Sequence, residues 1–332
     1  MKRILLASAA ALTLTPGLAS ACEITVGLVL ELTGPAGEYG QASAKSVEMA
    51  FRDLNDAGGV AGCTLKTDTR DSQTQANVAV DAATQLVQVG HVPVVIGGII
   101  SPMSIPILTS VTGPAKVLEV SPASSSPTLT ELGREGKTNG VFFRTITSDA
   151  LQGVAMAKVA YDAGLKKVAV MYLNNPYGQG LSQEFTAAFA RLGGTVTQNV
   201  VYNPSQPSYR AEVAKASSPV PDALFLIGYP GDGTTIAREW IGAGGPQKFL
   251  FPDGLESQDF VDDVGAQYMK SVHGTAPGSD KTPSLATFQR EFQAKFGTLP
   301  TQAYIPNAYD ATVLVGLAME QAKSSKGPAI RD

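Results

Sequence analysis

Runs of apolar residues alternate with segments of helical spacing along the first half of the chain. A buried strand is expected where apolar residues are continuous, and a helix where they recur every three or four positions. The first pattern predicts strands at residues 24–29, 64–69, 92–96 and 116–120. The second predicts helices at residues 41–57, 77–89 and 124–132, with another helix after Ser101-Pro102. Continuous apolar strands separated by helices are typical of βαβ units on a parallel sheet.

The same alternation begins again after Phe142-Phe143-Arg144. In this second half, strands are predicted at residues 167–172, 195–202, 223–227 and 249–251, and helices at residues 151–163, 179–192, 209–217 and 234–243. The length of the chain suits two ordinary domains. The chain is therefore predicted to be an α/β protein with two doubly wound parallel sheets of similar size.

The first 21 residues have the features of a signal peptide. Lys2 and Arg3 are positively charged, residues 4–14 are apolar, and Ala19-Ser20-Ala21 offers small residues for cleavage. A membrane anchor is the weaker interpretation, because the apolar run is shorter than the ~20 residues of a spanning helix. We therefore expect cleavage near Ala21 and a mature protein that is soluble and periplasmic.

Composition and charge narrow the class of protein further. Apolar residues make up 44% of the chain and charged residues only 16%, which favours large buried cores over disorder. The net charge is -4 and Lys and Arg form no run. Because nucleic-acid phosphates require a basic face, nucleic acid is not an expected partner.

The two cysteines each precede a predicted strand. Cys22 would be the first residue of the mature chain, and Cys63 stands just before the second strand. The first two strands of an open parallel sheet are usually neighbours, so both thiols are expected at the same end of the sheet. In an oxidising compartment this placement predicts a disulfide. A lipid on Cys22 is the second interpretation, because the cleavage region lacks the usual Leu three residues before the cysteine.

Polar loops follow several predicted strands at the edge of the sheet where ligands bind. In open α/β sheets that edge lies beyond the carboxyl ends of the strands. In the first half, Ser101 follows Gly97-Gly98, and a Ser- and Pro-rich loop spans residues 121–127. A lone Ser-Pro is more often an ordinary helix N-cap. Two such loops on one cleft nevertheless predict a site for a carboxylate.

Three loops of the second half are expected to face the same cleft, at residues 174–178, 228–230 and 252–254. Tyr177 and Tyr229 stand in turn sequence directly after strands, where a bulky ring has little core to join. Asp253 also follows a strand and can pair with an ammonium group. Singly, Asp-Gly is a turn signal and each Tyr a surface aromatic. Their shared location favours a binding site.

The motifs of these loops occur in an order and spacing that resemble one family. They are Gly34-Pro35-Ala36-Gly37-Glu38-Tyr39-Gly40, residues 55–59, the loop at residues 96–101, Ser121-Pro122-Ala123, Tyr177-Gly178-Gln179-Gly180 and Pro252-Asp253-Gly254. The chain is similar to periplasmic binding proteins of the branched-chain amino acid type, the ABC-transporter receptors with the type I fold. The resemblance covers nearly the whole mature chain, and the ordered set is specific to the family but not to one ligand.

The resemblance implies a set of ligand-binding residues. They are Tyr39, Ser101, Ala123, Ser124, Ser125, Tyr177, Tyr229 and Asp253. The serines and the backbone at Ala123 would bind the α-carboxylate, the tyrosines would wall the cleft, and Asp253 would bind the ammonium group. Ser125 replaces the commoner Thr, and Asp253 stands where some members have Glu, so a leucine-like ligand does not follow.

The resemblance also implies how the chain is divided. One lobe would comprise residues 22–143 and 274–332, and the other residues 144–273. Crossings near Arg144-Thr145 and Val272-His273 would form the hinge. The family pattern continues beyond the helix at Met319, so we expect that its C-terminal part is missing from this sequence.

The expected function is that of a solute-binding protein of an ABC importer. It would bind a small amino acid or related carboxylate, act as a monomer and deliver its ligand to a membrane permease. No cofactor or metal is expected. An enzyme is disfavoured because His91 and His273 are the only histidines and no catalytic grouping or complete phosphate loop is present. A soluble sensor for a membrane signalling partner and a receptor for non-amino carboxylates, such as aromatic acids, are the alternatives.

Overall fold

A computed structural model of the protein describes residues 22–278, 281–299 and 304–331. The predicted signal peptide, residues 1–21, lies outside the described residues. Within the described ranges, none of the helices combines the length and the hydropathy that crossing a membrane requires.

The first sheet contains five parallel strands. They are β1 (Cys22–Leu30), β2 (Cys63–Asp71), β3 (Val94–Gly97), β4 (Leu118–Ser121) and β5 (Phe142–Arg144). Their order in the sheet is β2-β1-β3-β4-β5. Strand β3 is buried along its whole length, which explains why its sequence is continuously apolar rather than alternating.

Five helices follow the strands of this half. They are α1 (Gly37–Asp56), α2 (Ala76–Thr84), α3 (Ser101–Ile107), α4 (Gly113–Ala115) and α5 (Pro127–Arg134). Turns of π-helix at Gln85–Val89 and Leu108–Thr112 extend α2 and α3. Helix α1 begins four residues before the predicted start at Gln41. Its first turn packs on the backbone directly after β1, because a Cβ at Gly40 would lie only 2.0 Å from the Glu31 carbonyl oxygen.

The second sheet also contains five parallel strands. They are β6 (Lys167–Leu173), β7 (Thr195–Tyr202), β8 (Ala223–Ile227), β9 (Phe249–Pro252) and β10 (Val272–Thr275), in the order β10-β9-β8-β6-β7. Its helices are α6 (Asp149–Asp162), α7 (Pro176–Arg191), α8 (Arg210–Ala216), α9 (Pro230–Gly242) and α10 (Gln258–Val264). Short 3₁₀ turns occupy Asp253–Leu255 and Ala266–Tyr268.

Three C-terminal helices return to the side of the first sheet. They are α11 (Pro283–Phe296), α12 (Ile305–Ala322) and α13 (Gly327–Arg331). Phe288 and Phe292 of α11 share an apolar cluster with Met49 of α1. The chain therefore leaves the first sheet after Arg144 and the second sheet after Thr275. The lobe limits given above stay a prediction.

The structure contains the disulfide between Cys22 and Cys63, whose Cα atoms are 4.4 Å apart. The two cysteines are direct partners in the register of β1 and β2. The prediction rested on this adjacency of the first two strands. A sulfur atom in a disulfide cannot also carry a lipid, so the structure favours the disulfide over lipidation of Cys22.

Candidate functional site

A small cavity lies between the two sheets, and seven of the eight implied ligand-binding residues line it. The lining residues, all of them buried, are Tyr39, Ile100, Ser101, Ala123, Ser125, Tyr177, Tyr229, Asp253, Gly254 and Tyr304. The space open to the centre of a water molecule is about 10 Å³. This is room for about one water molecule. In this arrangement of the lobes, the side chains already contact one another across the cleft.

Two loops of the first lobe reach the cavity from the carboxyl ends of β3 and β4. Gly97 has a φ of +135°, and a Cβ there would lie 2.0 Å from a carbonyl oxygen of β1, so only glycine fits. Ser121 Oγ donates to the Gly98 carbonyl at 2.6 Å, which ties the two loops together. Ser126 N donates to Ser101 Oγ at 3.1 Å. The Ser101 hydroxyl is therefore fixed at the cavity as an acceptor, and its own proton has no acceptor among the residues that the structure describes.

Ser124 is the implied residue that does not line the cavity. It is completely buried, and its Oγ lies 2.7 Å from Ser104 Oγ and 3.2 Å from the Gly98 carbonyl oxygen. The backbone N–H of Ser124 donates to Ser121 Oγ at 3.1 Å. These contacts hold the serine loop in place. The hydroxyl that this loop presents to the cavity is that of Ser125.

Tyr177 and Tyr229 lie at the starts of helices rather than in the turns that the sequence predicts. Asn175 caps α7, and its Oδ1 accepts from Gly178 N at 2.8 Å, which places Tyr177 in the first helical turn. Tyr229 is the residue directly before α9, where Pro230 is the first helical residue. Proline is favoured at the first position of a helix, so Pro176 and Pro230 were the local signals in the sequence for these two helix starts.

Four tyrosine rings wall the cavity, and one of them, Tyr304, was not predicted from the sequence. Tyr177 and Tyr229 stack with ring centroids 5.6 Å apart. Tyr39 meets Tyr229 edge-on at 6.5 Å and Tyr304 at 5.9 Å. Burial, as the main cause, raises the pKa of all four hydroxyls, so they act as neutral groups. Tyr304 precedes α12 and belongs to no motif that would mark it in the sequence.

Asp253 receives hydrogen bonds on both carboxylate oxygens. Gln152 Nε2 donates to Oδ1 at 2.6 Å, and the Tyr177 hydroxyl donates to the same oxygen at 3.3 Å. The Tyr304 hydroxyl donates to Oδ2. The Tyr39 hydroxyl donates to the backbone carbonyl of Asp253 at 3.2 Å. Burial raises the pKa of Asp253, while the bonds from Tyr304, Gln152 and Tyr177 act in the opposite direction.

A second buried carboxyl, also missed, lies behind Ser125. Ser125 Oγ donates to Asp149 Oδ2 at 3.0 Å, and Asp149 Oδ1 has no hydrogen-bond partner among the described residues. Burial and then the negative charge of Asp253 raise the pKa of Asp149. The nearby cation is Arg144, whose Nη1 donates to two carbonyls of the serine loop, both at 3.1 Å. Because the Ser125 proton points to Asp149, the serine presents oxygen lone pairs to the cavity.

Glu31 is a third buried carboxyl close to the site. It is the first residue after strand β1 and is completely buried. Its Oε2 accepts from Ile99 N at 3.0 Å, in the loop that leads to Ser101. Burial raises its pKa to about 8, against the lowering effect of backbone hydrogen bonds that include Ile99 and Ile100. Glu31 therefore holds the backbone of the loop that leads to Ser101.

The groups that face the cavity are hydroxyls, aromatic rings, two aliphatic side chains, backbone and one carboxyl. The described residues contain no group of three or more His, Cys, Asp or Glu side chains placed to hold a metal. His91 and His273 are exposed and lie outside the cavity lining. This set of groups suits the binding of a small polar molecule, with few polar groups in fixed positions and a mostly aromatic wall.

Comparisons with known proteins agree with this architecture. The sequence profile of the family described as periplasmic binding protein matches residues 23–332. The chain is 29% identical over 327 residues to the Leu/Ile/Val-binding protein homolog 3 of Brucella melitensis, covering 98% of this chain and 86% of that protein.

Two solved structures show the same fold. The leucine binding protein LivK from Thermotoga maritima has a TM-score of 0.83 at 25% identity, over 93% of this chain and 86% of that chain. A solute binding protein of an ABC transporter from Rhodopseudomonas palustris, in complex with 3,4-dihydroxybenzoic acid, has a TM-score of 0.78 at 20% identity, over 93% and 84%. The predicted type I fold with two parallel-sheet lobes is confirmed.

Proposed function

Because the chain belongs to the family of periplasmic binding proteins, we propose that it is the solute-binding component of an ABC importer. It encloses a small amino acid or related carboxylate between its lobes. The observation that carries this proposal is the convergence of seven implied ligand residues, from loops and helix starts beside both sheets, on one buried cavity. The named relatives, which include a Leu/Ile/Val-binding protein homolog, support the same class of ligand.

Contacts from both lobes to an enclosed ligand supply the binding energy. The lobes are residues 22–143 with 274–332, and residues 144–273. An amino acid has ~10 heavy atoms, and micromolar affinity requires about -8 kcal/mol. About -0.8 kcal/mol per atom is attainable only when the ligand is almost wholly enclosed. With room for about one water molecule, the cavity admits such a ligand only after the lobes move apart. The hinge lies near Arg144-Thr145 and Val272-His273.

Hydrogen bonds between the lobes define the closed arrangement. Ser126 Oγ donates to the Pro176 carbonyl at 2.9 Å on one side of the cleft. Ser257 Oγ donates to Glu38 Oε2 at 3.0 Å on the other side. These contacts link residues of the first lobe to residues of the second and must break when the cleft opens. They favour closure by small increments, about 1 kcal/mol each.

The polar groups of the cavity determine the orientation of the bound ligand. Ser101, whose proton is free to donate, binds the carboxylate together with backbone near Ala123. Asp253 binds the ammonium group, and Ser125 Oγ, which donates to Asp149, accepts from the ammonium rather than donating to the carboxylate. The four tyrosine rings then surround the side chain. This orientation refines the expectation that Ser125 binds the carboxylate.

A receptor for amine-free acids is the second candidate. The observation that favours it is the set of neutral protein donors on Asp253, because these donors satisfy its carboxyl without a ligand amine. Burial also raises the pKa of Asp253, which eases the approach of an anionic ligand once the carboxyl is protonated. A protein of this fold in complex with 3,4-dihydroxybenzoic acid agrees with this alternative.

The proposal extends to location and partner. The protein acts in the periplasm as a monomer, residues 1–21 direct its export, and a membrane permease receives the ligand. The disulfide between Cys22 and Cys63 supports an oxidising compartment.

The test is calorimetric titration of the protein with amino acids, their deaminated analogues and benzoates. We expect at least one to bind with micromolar affinity and the Ser101→Ala variant to bind it more weakly. Ser110→Ala is the matched control, since Ser110 is exposed and outside the cavity. Absence of binding across the panel, or equal affinity in wild type and Ser101→Ala, would contradict the proposal.

A further inference from the structure

Tyr304 reaches across the cleft to Asp253. The tyrosine directly precedes helix α12, which packs against α1 of the first lobe, while Asp253 follows strand β9 of the second sheet. The Tyr304 hydroxyl donates to Asp253 Oδ2, and both side chains line the cavity. The group assigned to the ligand's ammonium therefore already has a protein donor from the opposite lobe.

The bonds to Asp253 leave little room for another donor. A carboxylate has about four acceptor positions, two on each oxygen. Gln152 and Tyr177 occupy the two positions on Oδ1, and Tyr304 occupies one on Oδ2. A ligand ammonium that keeps all three partners in place has one position left. It has two when the Tyr304 hydroxyl is absent.

On the basis of the function proposed above, we propose that Tyr304 is a specificity-determining residue whose hydroxyl competes with the ligand's ammonium group for Asp253. The competition lowers the preference of the cleft for amino acids over amine-free acids of the same shape. An amine-free acid loses nothing to it, because Asp253 keeps its three protein donors.

Tyr304 differs in this respect from the other donors. Gln152 and Tyr177 belong to helices α6 and α7 of the second half, on the same side of the cleft as Asp253, so they remain with it when the lobes separate. Tyr39 donates to the backbone carbonyl of Asp253, not to its carboxyl. Tyr304 alone among these donors brings a hydroxyl to the carboxyl from the opposite lobe. Its bond requires the two lobes to lie close together, as they do in this structure.

The experiment compares two matched ligand pairs by calorimetric titration. The pairs are leucine with 4-methylpentanoate and phenylalanine with 3-phenylpropanoate, which differ only in the amine. In Tyr304→Phe, the ratio of amino-acid affinity to deaminated-acid affinity should rise by about threefold to tenfold. A change in the ease of closure affects both members of a pair and cancels in this ratio. Tyr309→Phe is the control, since Tyr309 lies in α12, the helix that Tyr304 precedes, and donates to Asp53 at 2.9 Å, away from the cavity.

A second measurement separates competition from a structural role. If the hydroxyl acts through Asp253, the change in ratio caused by Tyr304→Phe should disappear in the Asp253→Asn background. Tyr304→Leu, which also lacks the hydroxyl, provides the same comparison if the Phe variant fails to fold.

The outcomes distinguish this inference from the proposed function. An unchanged or lower ratio in the Tyr304 variants, or a rise that persists in Asp253→Asn, would refute the competition between Tyr304 and the ammonium group. As long as the wild-type protein binds one of these acids, that result does not affect the proposed transport function. If neither member of either pair, nor any other acid of the panel, binds the wild-type protein, the proposed function fails and this inference fails with it.

Discussion

Replacement of Glu31 by Gln should make the stability of the protein less dependent on pH. Glu31 is completely buried, and its pKa is raised from the usual 4.5 to about 8. The folded protein therefore holds this proton more tightly than the unfolded chain does. Stability from this group is fully present below pH 4.5 and is lost as pH rises through the folded pKa. At about 1.4 kcal/mol per pKa unit, the loss between pH 5 and pH 8.5 is about 4 kcal/mol.

The Gln variant keeps an acceptor for Ile99 N and lacks the titrating proton. Urea unfolding of both proteins at pH 5 and pH 8.5 measures the difference in the free energy of unfolding. We expect that difference to move in favour of Gln by about 4 kcal/mol between the two pH values. Any constant cost of the buried amide cancels in this comparison. Glu131→Gln, at an exposed position, is the control. A pH-independent difference, or a change below about 1 kcal/mol, would refute the argument that Glu31 is buried and protonated.

Three further predictions concern the cavity and the disulfide. Ser101→Ala and Ser125→Ala should each weaken binding by about 1–3 kcal/mol without unfolding the protein, because each removes a hydrogen-bonding group from a buried ligand; equal calorimetric affinities in both variants would place the polar site elsewhere. Thiol titration of the unfolded, periplasm-expressed protein should detect no free thiol, whereas two thiols would contradict the Cys22–Cys63 disulfide. Asp253→Asn should lower amino-acid affinity at least tenfold, about 1.4 kcal/mol, and affect the deaminated acid much less; an unchanged amino-acid affinity would make Asp253 a turn residue only.

The loops of the site could be predicted because their positions depend on local pattern. Continuous apolar segments mark buried strands, and parallel strands bring their carboxyl ends to one edge. Residues in the loops that follow those strands, such as Ser101, Tyr229 and Asp253, therefore come together even where the predicted strand limits differ by a few residues from the observed ones. The Cys22–Cys63 pair follows from the same regularity, since neighbouring parallel strands start together.

The remaining parts of the site depend on contacts between distant segments. Tyr304 stands 51 residues after Asp253, and Gln152 stands 101 residues before it. Neither is marked by a strand end or a glycine loop. Asp149 looks like an acidic residue in the first turn of a helix, and its burial behind Ser125 follows only from the packing of α6. Ser124 and Ser125 are adjacent, so their opposite orientations depend on a loop conformation that spacing does not fix.

We infer that the lobes close around the ligand at the cavity lined by Ser101 and Asp253. Small-angle X-ray scattering of the wild-type protein, with and without a saturating acid that calorimetry shows to bind, tests it most directly. We expect the radius of gyration to fall on binding, and the fall to require a higher concentration of the acid in Ser101→Ala. A ligand that binds with micromolar affinity and leaves the radius of gyration unchanged would contradict enclosure by lobe closure.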